Sequence, residues 1–272
     1  MEIKQVCGKD ILQSIPGIVN VFRDDEVVPW HRYDECLAWV TRRAERGFYM
    51  TAAVDGDTIV GYSEWIETFD NGAKILYLGL MQVDCDLRGR GIGGAMLADG
   101  ISYAKRIGAS KLRTLPEDER SHNFYRKYGF TETDEIYYCV CPTIETAYCE
   151  KSNEVTLEVV NTHEFVFGVC QSSGRHMYEC ANHNPETSGY TAKTAYIESG
   201  YLQFRYKIGS KEAHVLYWSN KPVTAETVST ILEQGYAHGF DEIKFYFKSK
   251  YLDLFRDYSV IRESIEIEKE LI

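Results

Sequence analysis

The segment that most constrains this 272-residue chain is Val83-Asp84-Cys85-Asp86-Leu87-Arg88-Gly89-Arg90-Gly91-Ile92-Gly93-Gly94. The apolar run over 75–83 that leads into it reads as a strand. Ile92, Met96, Leu97, Ile101 and Ala104 then recur at helical spacing, so a helix is expected over about 94–106 with these residues on its buried face. Glycines at 89, 91, 93 and 94 permit unusual dihedrals and keep side chains away from the backbone. Strand, glycine-rich turn and helix in this order offer a row of free N–H groups at a helix N-terminus, which is an anion site. Arg88 and Arg90 add donors suited to phosphate oxygens.

Two familiar phosphate loops share this physics and fit poorly. The Walker type ends in Gly-Lys-Ser/Thr, which is missing here. The dinucleotide type opens its domain, whereas two helices and a hairpin come first in this chain. Asp10 is the expected N-cap of a helix carrying Ile11, Ile15 and Ile18. Tyr33, Leu37, Val40 and Ala44 mark a second helix, with Gly47 at its C-cap. Residues 49–54 and 58–65 flank Asp55-Gly56-Asp57 as a hairpin. Beyond the loop, a strand over 112–115, a helix over 121–128 closed by Gly129, and a strand over 135–141 complete an α/β unit with a mixed sheet.

A polar stretch over about 142–153 sets the expected boundary between domains 1–145 and 153–272. The second half predicts strands over 155–160, 164–169, 201–208 and 213–218, and a polar region over 171–189. A helix over 224–238, a strand over 243–247, a helix over 251–258 and a last strand follow. This ending repeats that of the first half. Ile107-Gly108-Ala109-Ser110-Lys111-Leu112 lines up with His238-Gly239-Phe240-Asp241-Glu242-Ile243, and Phe124-Tyr125-Arg126-Lys127-Tyr128 with Leu254-Phe255-Arg256-Asp257-Tyr258. The offsets, 131 and 130 residues, agree in spacing as well as type, which indicates a degenerate duplication.

Arg88, Gly91 and Gly93 meet the pattern Arg/Gln-x-x-Gly-x-Gly/Ala, and Asn123, Phe124, Tyr125, Gly129 and Phe130 meet a second pattern, Asn then Phe-Tyr-x-x-x-Gly-Phe. In both, the chain resembles the GCN5-related N-acetyltransferase (GNAT) family, over residues 1 to about 142 directly and over the rest through the repeat. The resemblance implies an α/β GNAT fold, a mixed central sheet flanked by helices, followed by a second, degenerate GNAT-like α+β domain. It implies transfer of acetyl from acetyl-CoA to a primary amine by direct attack in a ternary complex. Backbone groups of Met81, Gln82 and Val83 would pair with the pantetheine arm. Amides of Arg88, Gly89, Arg90, Gly91, Ile92, Gly93, Gly94 and Ala95 would hold the pyrophosphate, with Asn123 near the arm and Tyr125 protonating the departing thiolate. Cys85 stands where many members have proline and reads as a loop residue rather than an acylated intermediate. For the general base, Glu64 leads Asp84 and Gln82. In the second copy Ser219-Asn220-Lys221-Pro222-Val223-Thr224 replaces the glycine loop and Phe255 replaces Tyr125, so it is not expected to bind acetyl-CoA. Its expected role is to cover the catalytic copy, complete the acceptor pocket or mediate a homodimer. A competing class is a sensor that binds acyl-CoA without turnover, but a sensor needs the loop and not the acid, so Tyr125 favours catalysis.

A net charge of -11 and a pI near 5.2 argue against nucleic acid as a partner. The acceptor is therefore read as a small-molecule or protein amine. No apolar run approaches membrane length, and Met1-Glu2-Ile3-Lys4-Gln5 lacks a secretory layout, which predicts a cytoplasmic protein without membrane contact and with reduced cysteines. Cys170, His176, Cys180 and His183 have zinc-type side chains at spacings unlike known fingers, so separate roles and no metal are expected. Tyr190, Tyr196, Tyr201, Tyr206 and Tyr217 suit a sheet core better than an aromatic pocket for a cation.

Overall fold

The computed structural model describes residues 1–24, 30–70, 72–147, 154–169, 173–182, 189–197 and 199–271, apart from the side chain of Tyr196. Two compact units divide the chain, the first formed by residues 1–67, 74–112 and 270–272, the second by 68–73 and 113–269.

In the first unit the elements run β1 (Glu2–Gln5), α1 (Asp10–Val21), α2 (Tyr33–Glu45), β2 (Tyr49–Asp55), β3 (Thr58–Asp70), β4 (Ala73–Val83), α3 (Ile92–Arg106) and the start of β5 (Lys111–Thr114). The sheet order is β1-β2-β3-β4-β5. β1 pairs antiparallel with β2, and β2 antiparallel with β3. Helical periodicity in α1 and α2 directs Ile11, Ile15, Ile18 and Val40 onto Met50, Ala52, Tyr62 and Ile66. On the opposite face Ile92 and Met96 of α3 meet Ala53 and Val60. α1 continues through Pro16 and Gly17, and a Cβ at Gly17 would meet Ile59 at 2.8 Å, so the helix lies too close to β3 for any side chain there. α2 stops at a Schellman motif: Gly47 N–H donates to Ala44 O (3.1 Å) and Phe48 N–H to Arg43 O (3.0 Å), with Gly47 at φ 76°.

The second unit contains α4 (Glu119–Lys127), β6 (Thr131–Pro142), α5 (Leu157–Thr162), β7 (Glu164–Phe167), α6 (Gly174–Ala181), β8 (Tyr190–Ile197), β9 (Gly200–Lys207), β10 (Glu212–Ser219), α7 (Ala225–Ala237), β11 (Glu242–Lys248), a 3-10 segment (Ser249–Phe255) and β12 (Ile261–Glu270). Its strands follow the order β12-β6-β11-β10-β9-β8, with β7 added to β10. Phe204, Val215, Tyr217, Phe245 and Phe247 form one inner face, covered by Val228, Ile231 and Leu232 of α7 and by Phe255. Leu216 and Trp218 of β10 form the other, against Val159, Val160 and Met177 of α5 and α6. Tyr206 and Tyr217 pack in the first cluster and Tyr201 in the second, as sheet tyrosines do.

The repeat is legible at helix ends. α3 closes with Gly108 N–H on Lys105 O (3.2 Å) and Ala109 N–H on Ala104 O (2.9 Å), with Gly108 at φ 72°. α7 closes in the same way, Gly239 N–H on Tyr236 O (2.8 Å) and Phe240 N–H on Gly235 O (3.0 Å), with Gly239 at φ 87°. A strand, a short helix or 3-10 segment, and a longer strand follow in each copy.

Some expectations change. Residues 155–160 read as a strand, but the Thr156 hydroxyl accepts from Val159 N–H (3.3 Å) and starts α5. Ser173 likewise caps α6 inside the region taken as polar loop, its hydroxyl accepting from His176 N–H at 3.0 Å. β1 and β8 were not anticipated, and residues 249–255 form a 3-10 segment in place of a full helix. The compact units part at Leu112, and within the second β6 lies between β11 and β12, antiparallel to both. Cys170 and His183 lie outside the described residues, while His176 Nε2 and Cys180 Sγ sit 3.6 Å apart, one turn along α6. No helix among the described residues is long and apolar enough to cross a membrane.

Candidate active site

Residues 75–78 of β4 are fully buried, whereas all five from Gly79 to Val83 are half-buried whichever way they point. The far neighbour explains this. β5 has four residues and is entered beside Lys74, where Ser110 N–H donates to Lys74 O at 2.9 Å. A strand–helix–strand crossover joins parallel strands, so β5 runs alongside β4 and stops before its end. Asp84 N–H donates to Val60 O of β3 (3.0 Å), so the groups of Val83, one residue back, face the opposite edge. There the Val83 carbonyl accepts from Arg88 Nε at 3.2 Å. Arg88 therefore braces the turn it follows.

The turn passes through a 3-10 segment (Cys85–Leu87) and two left-handed glycines, Gly89 at φ 82° and Gly91 at φ 84°. A non-glycine residue is strained in that region, and a Cβ at either position would project into open space. Gly91 is the N-cap of α3 and supplies no side chain to its first turn. Ala95 N–H makes the first intrahelical bond, to Gly91 O at 3.1 Å, which leaves the amides of Ile92, Gly93 and Gly94 as the unspent donors of the turn. The helix carries no acid in its first turn and has Lys105 and Arg106 in its last, so its positive end is undiminished. Arg88 and Arg90 are exposed beside it. The α3 N-terminus thus presents uncapped amides beside two exposed arginines, an arrangement that favours negative charge.

Asp84, Cys85 and Asp86 bring ligand-type atoms within 4.8 Å of one another, but a guanidinium already holds them. Arg23, just past α1, donates to both Asp84 oxygens (2.7 and 2.9 Å), to Asp86 Oδ2 (2.7 Å) and to Cys85 Sγ (3.1 Å). Hydrogen bonding to Arg23 holds the Asp84 carboxyl below its usual range. A hydrogen bond with Asp24 raises the Cys85 thiol, which keeps it protonated and a poor nucleophile.

Glu64, expected as the leading base, is a buried acid with partners on two elements. It is 1% exposed. Trp39 Nε1 (3.1 Å) and Tyr62 OH (3.0 Å) donate to Oε1, and Arg43 Nε lies 3.6 Å from Oε2. Arg43 is itself stacked between Trp39 and Phe48, at 4.1 and 4.3 Å from the ring centres. A carboxylate held in this way ties α2 to β3. Asp84 is likewise committed to Arg23, and Gln82 is half-buried at the end of β4.

The second sequence motif maps to α4, in the second unit. Asp118 and Ser121 form a capping box at its start. At its end Gly129 N–H donates to Arg126 O (3.0 Å) and Phe130 N–H to Tyr125 O (3.3 Å), while the Tyr125 and Phe130 rings pack 5.3 Å apart. Tyr-x-x-x-Gly-Phe is therefore a Schellman motif with its hydrophobic contact, and it fixes the Tyr125 ring. Tyr125 is 7% exposed, and burial raises its phenol well above the ordinary value, so it stays protonated at neutral pH. Asn123, on the same helix, is exposed.

The second copy is closed at both corresponding places. α7 begins at Thr224, whose hydroxyl accepts from Thr227 N–H (3.3 Å) in a full capping box. β10 runs parallel to β11 only over Glu212 to His214, and beyond the point where they part β7 pairs with Tyr217, Trp218 and Ser219. Gly168 N–H, directly after β7, donates to Tyr246 O of β11 at 2.9 Å. A strand of the chain itself fills the fork that β4 leaves open.

Residues 15–130 match the model of the acetyltransferase (GNAT) family. An uncharacterized N-acetyltransferase of Methanocaldococcus jannaschii is 32% identical over 113 residues, a match that takes in 39% of this chain and 48% of that relative. The chain thus spans about half the length of that curated protein. Among solved structures, a protein assigned as an acetyltransferase from Pyrococcus horikoshii superposes with a TM-score of 0.63 at 16% identity, covering 99% of this chain and 89% of that one. A GCN5-related N-acetyltransferase from Kribbella flavida gives 0.62 at 12% identity, covering 99% and 72%. Such likeness extends the shared fold to both halves of the chain.

Proposed function

We propose that this chain is an N-acetyltransferase that carries acetyl from acetyl-CoA to a primary amine within a ternary complex. The observation that carries the proposal is the uncapped N-terminus of α3, set directly after the open end of β4. Amides of Ile92, Gly93 and Gly94 with Arg88 and Arg90 would hold the pyrophosphate, and the outward edge at Met81 and Val83 would take the pantetheine arm as an added strand. The catalytic part is the segment 1–145, and residues 153–272 form a degenerate copy whose own capping box and β7 stand in for a coenzyme.

The acetyl group enters as a thioester, an acyl donor with a good leaving group. The neutral amine attacks its carbonyl carbon, the C–S bond breaks, and the thiolate takes the phenolic proton of Tyr125, a group that is protonated at neutral pH before the reaction. The ammonium proton leaves to solvent, since Glu64 and Asp84 are engaged by arginines. The remaining Tyr125 phenolate recovers its proton from water.

The test mixes purified protein and acetyl-CoA with a panel of primary amines and follows free thiol. Amine-dependent thiol release that is lost on Gly91→Val supports the reading. Coenzyme binding with no release for any amine would favour an acyl-CoA sensor.

A further inference from the structure

The glycine loop has an electrostatic fault that its own residues do not correct. Asp84 and Asp86 precede Arg88 and Arg90, so the side chains of the turn cancel to zero at a place meant for an anion. Arg23 is the one further cation hydrogen-bonded to either acid among the described residues, and its bonds offset the acids at the root of the loop. We infer that Arg23 is a positioning residue for the coenzyme cradle: it fixes the turn that presents the α3 N-terminus and cancels the acids beside it.

The geometry carries both parts. The guanidinium forks onto both oxygens of Asp84 and reaches Asp86, while its Nη1 also donates to Asn20 O at 3.0 Å, the last turn of α1. Asn20 Nδ2 adds a longer contact to Asp84 Oδ2, 3.5 Å. Asp84 in turn accepts from Asp86 N–H at 3.1 Å, the bond that starts the 3-10 segment and sets the path to Arg88. Helix α1 thereby grips the root of the loop through one planar cation. A lysine keeps the charge but cannot hold both oxygens of Asp84 and Asp86 together. Asp86 is exposed, and Arg23 pairs with it at 2.7 Å.

This inference rests on the coenzyme reading above, and the experiment separates the two. Coenzyme A is titrated by calorimetry into the full chain carrying wild-type Arg23, Arg23→Met, Arg23→Lys or the pair Arg23→Met with Asp86→Asn, and acetyl-CoA kinetics are measured in parallel. Arg23→Met is expected to raise the dissociation constant and KM for acetyl-CoA about tenfold, as loss of a charge-assisted fork does, with kcat changed less than about twofold. Arg23→Lys is expected between wild type and Arg23→Met. Removing the acid as well is expected to recover part of the loss, which a purely structural arginine would not allow. If Arg23→Met unfolds, Arg23→Lys decides alone: weaker binding supports the clamp and unchanged binding overturns it. Wild-type affinity in Arg23→Met, or no recovery in the pair, overturns the clamp while leaving the coenzyme site intact. A wild-type chain that binds no coenzyme A overturns the function itself.

Discussion

Helices α3 and α7 end alike and begin differently. Both close in Schellman motifs around left-handed glycines, Gly108 and Gly239. At their starts, Gly91 leaves the first turn of α3 without a side-chain partner, whereas Thr224 and Thr227 satisfy that of α7 reciprocally. The adjoining strands differ in the same sense, since the end of β4 outruns β5 while the end of β10 is paired by β7. An unspent helix end and an unpaired strand edge each cost stability. One copy keeps both costs together at one corner, and the other has removed both. Helix start and strand end therefore differ together between the two copies, as the proposed coenzyme site requires.

Gly91→Val tests the open end most severely. A β-branched residue at φ 84° is strained and puts bulk among the first-turn amides, so coenzyme A affinity is expected to fall roughly 100-fold by calorimetry. Tyr125→Phe makes the first copy resemble Phe255 of the second. It is expected to lower kcat about 100-fold with coenzyme affinity unchanged, and equal loss of binding would assign the tyrosine to packing. Thr224→Ala opens the sealed end. Loss of the cap is expected to cost about 1 kcal/mol and to lower Tm by about 2–4 °C, without adding a second coenzyme site because β7 still fills the fork. The smallest effect concerns the clamp. Arg23 holds Asp84 below the ordinary carboxylate value, so its stabilisation is present above about pH 4 and fades as pH falls through the lower folded value. The stability gap between wild type and Arg23→Met in urea is therefore expected at pH 7 and absent well below pH 4.

Local signals were the readable ones. The glycine loop, the amphipathic face of α3, the hairpin around Gly56 and the repeated helix endings are each written within a dozen consecutive residues, and each appears in the structure. Elements resting on distant pairing were not legible. β1 has four residues and one partner strand, and nothing in its composition marks it. The run 155–160 is β-branched, but a single threonine cap and burial of Val159 and Val160 made it helical. Glu64 looked like a strand acid free to act until Arg43, Trp39 and Tyr62 closed around it. Arg23 lies 61 residues from Asp84, so no spacing pattern could join them. The filling of the second fork by β7 required the same long-range information.

Counting coenzyme A molecules per chain by isothermal titration tests the contrast between copies most directly. One molecule bound to the wild type, with affinity roughly 100-fold lower in Gly91→Val, is the predicted result. Two per chain, or one held by Gly91→Val at wild-type affinity, would contradict it.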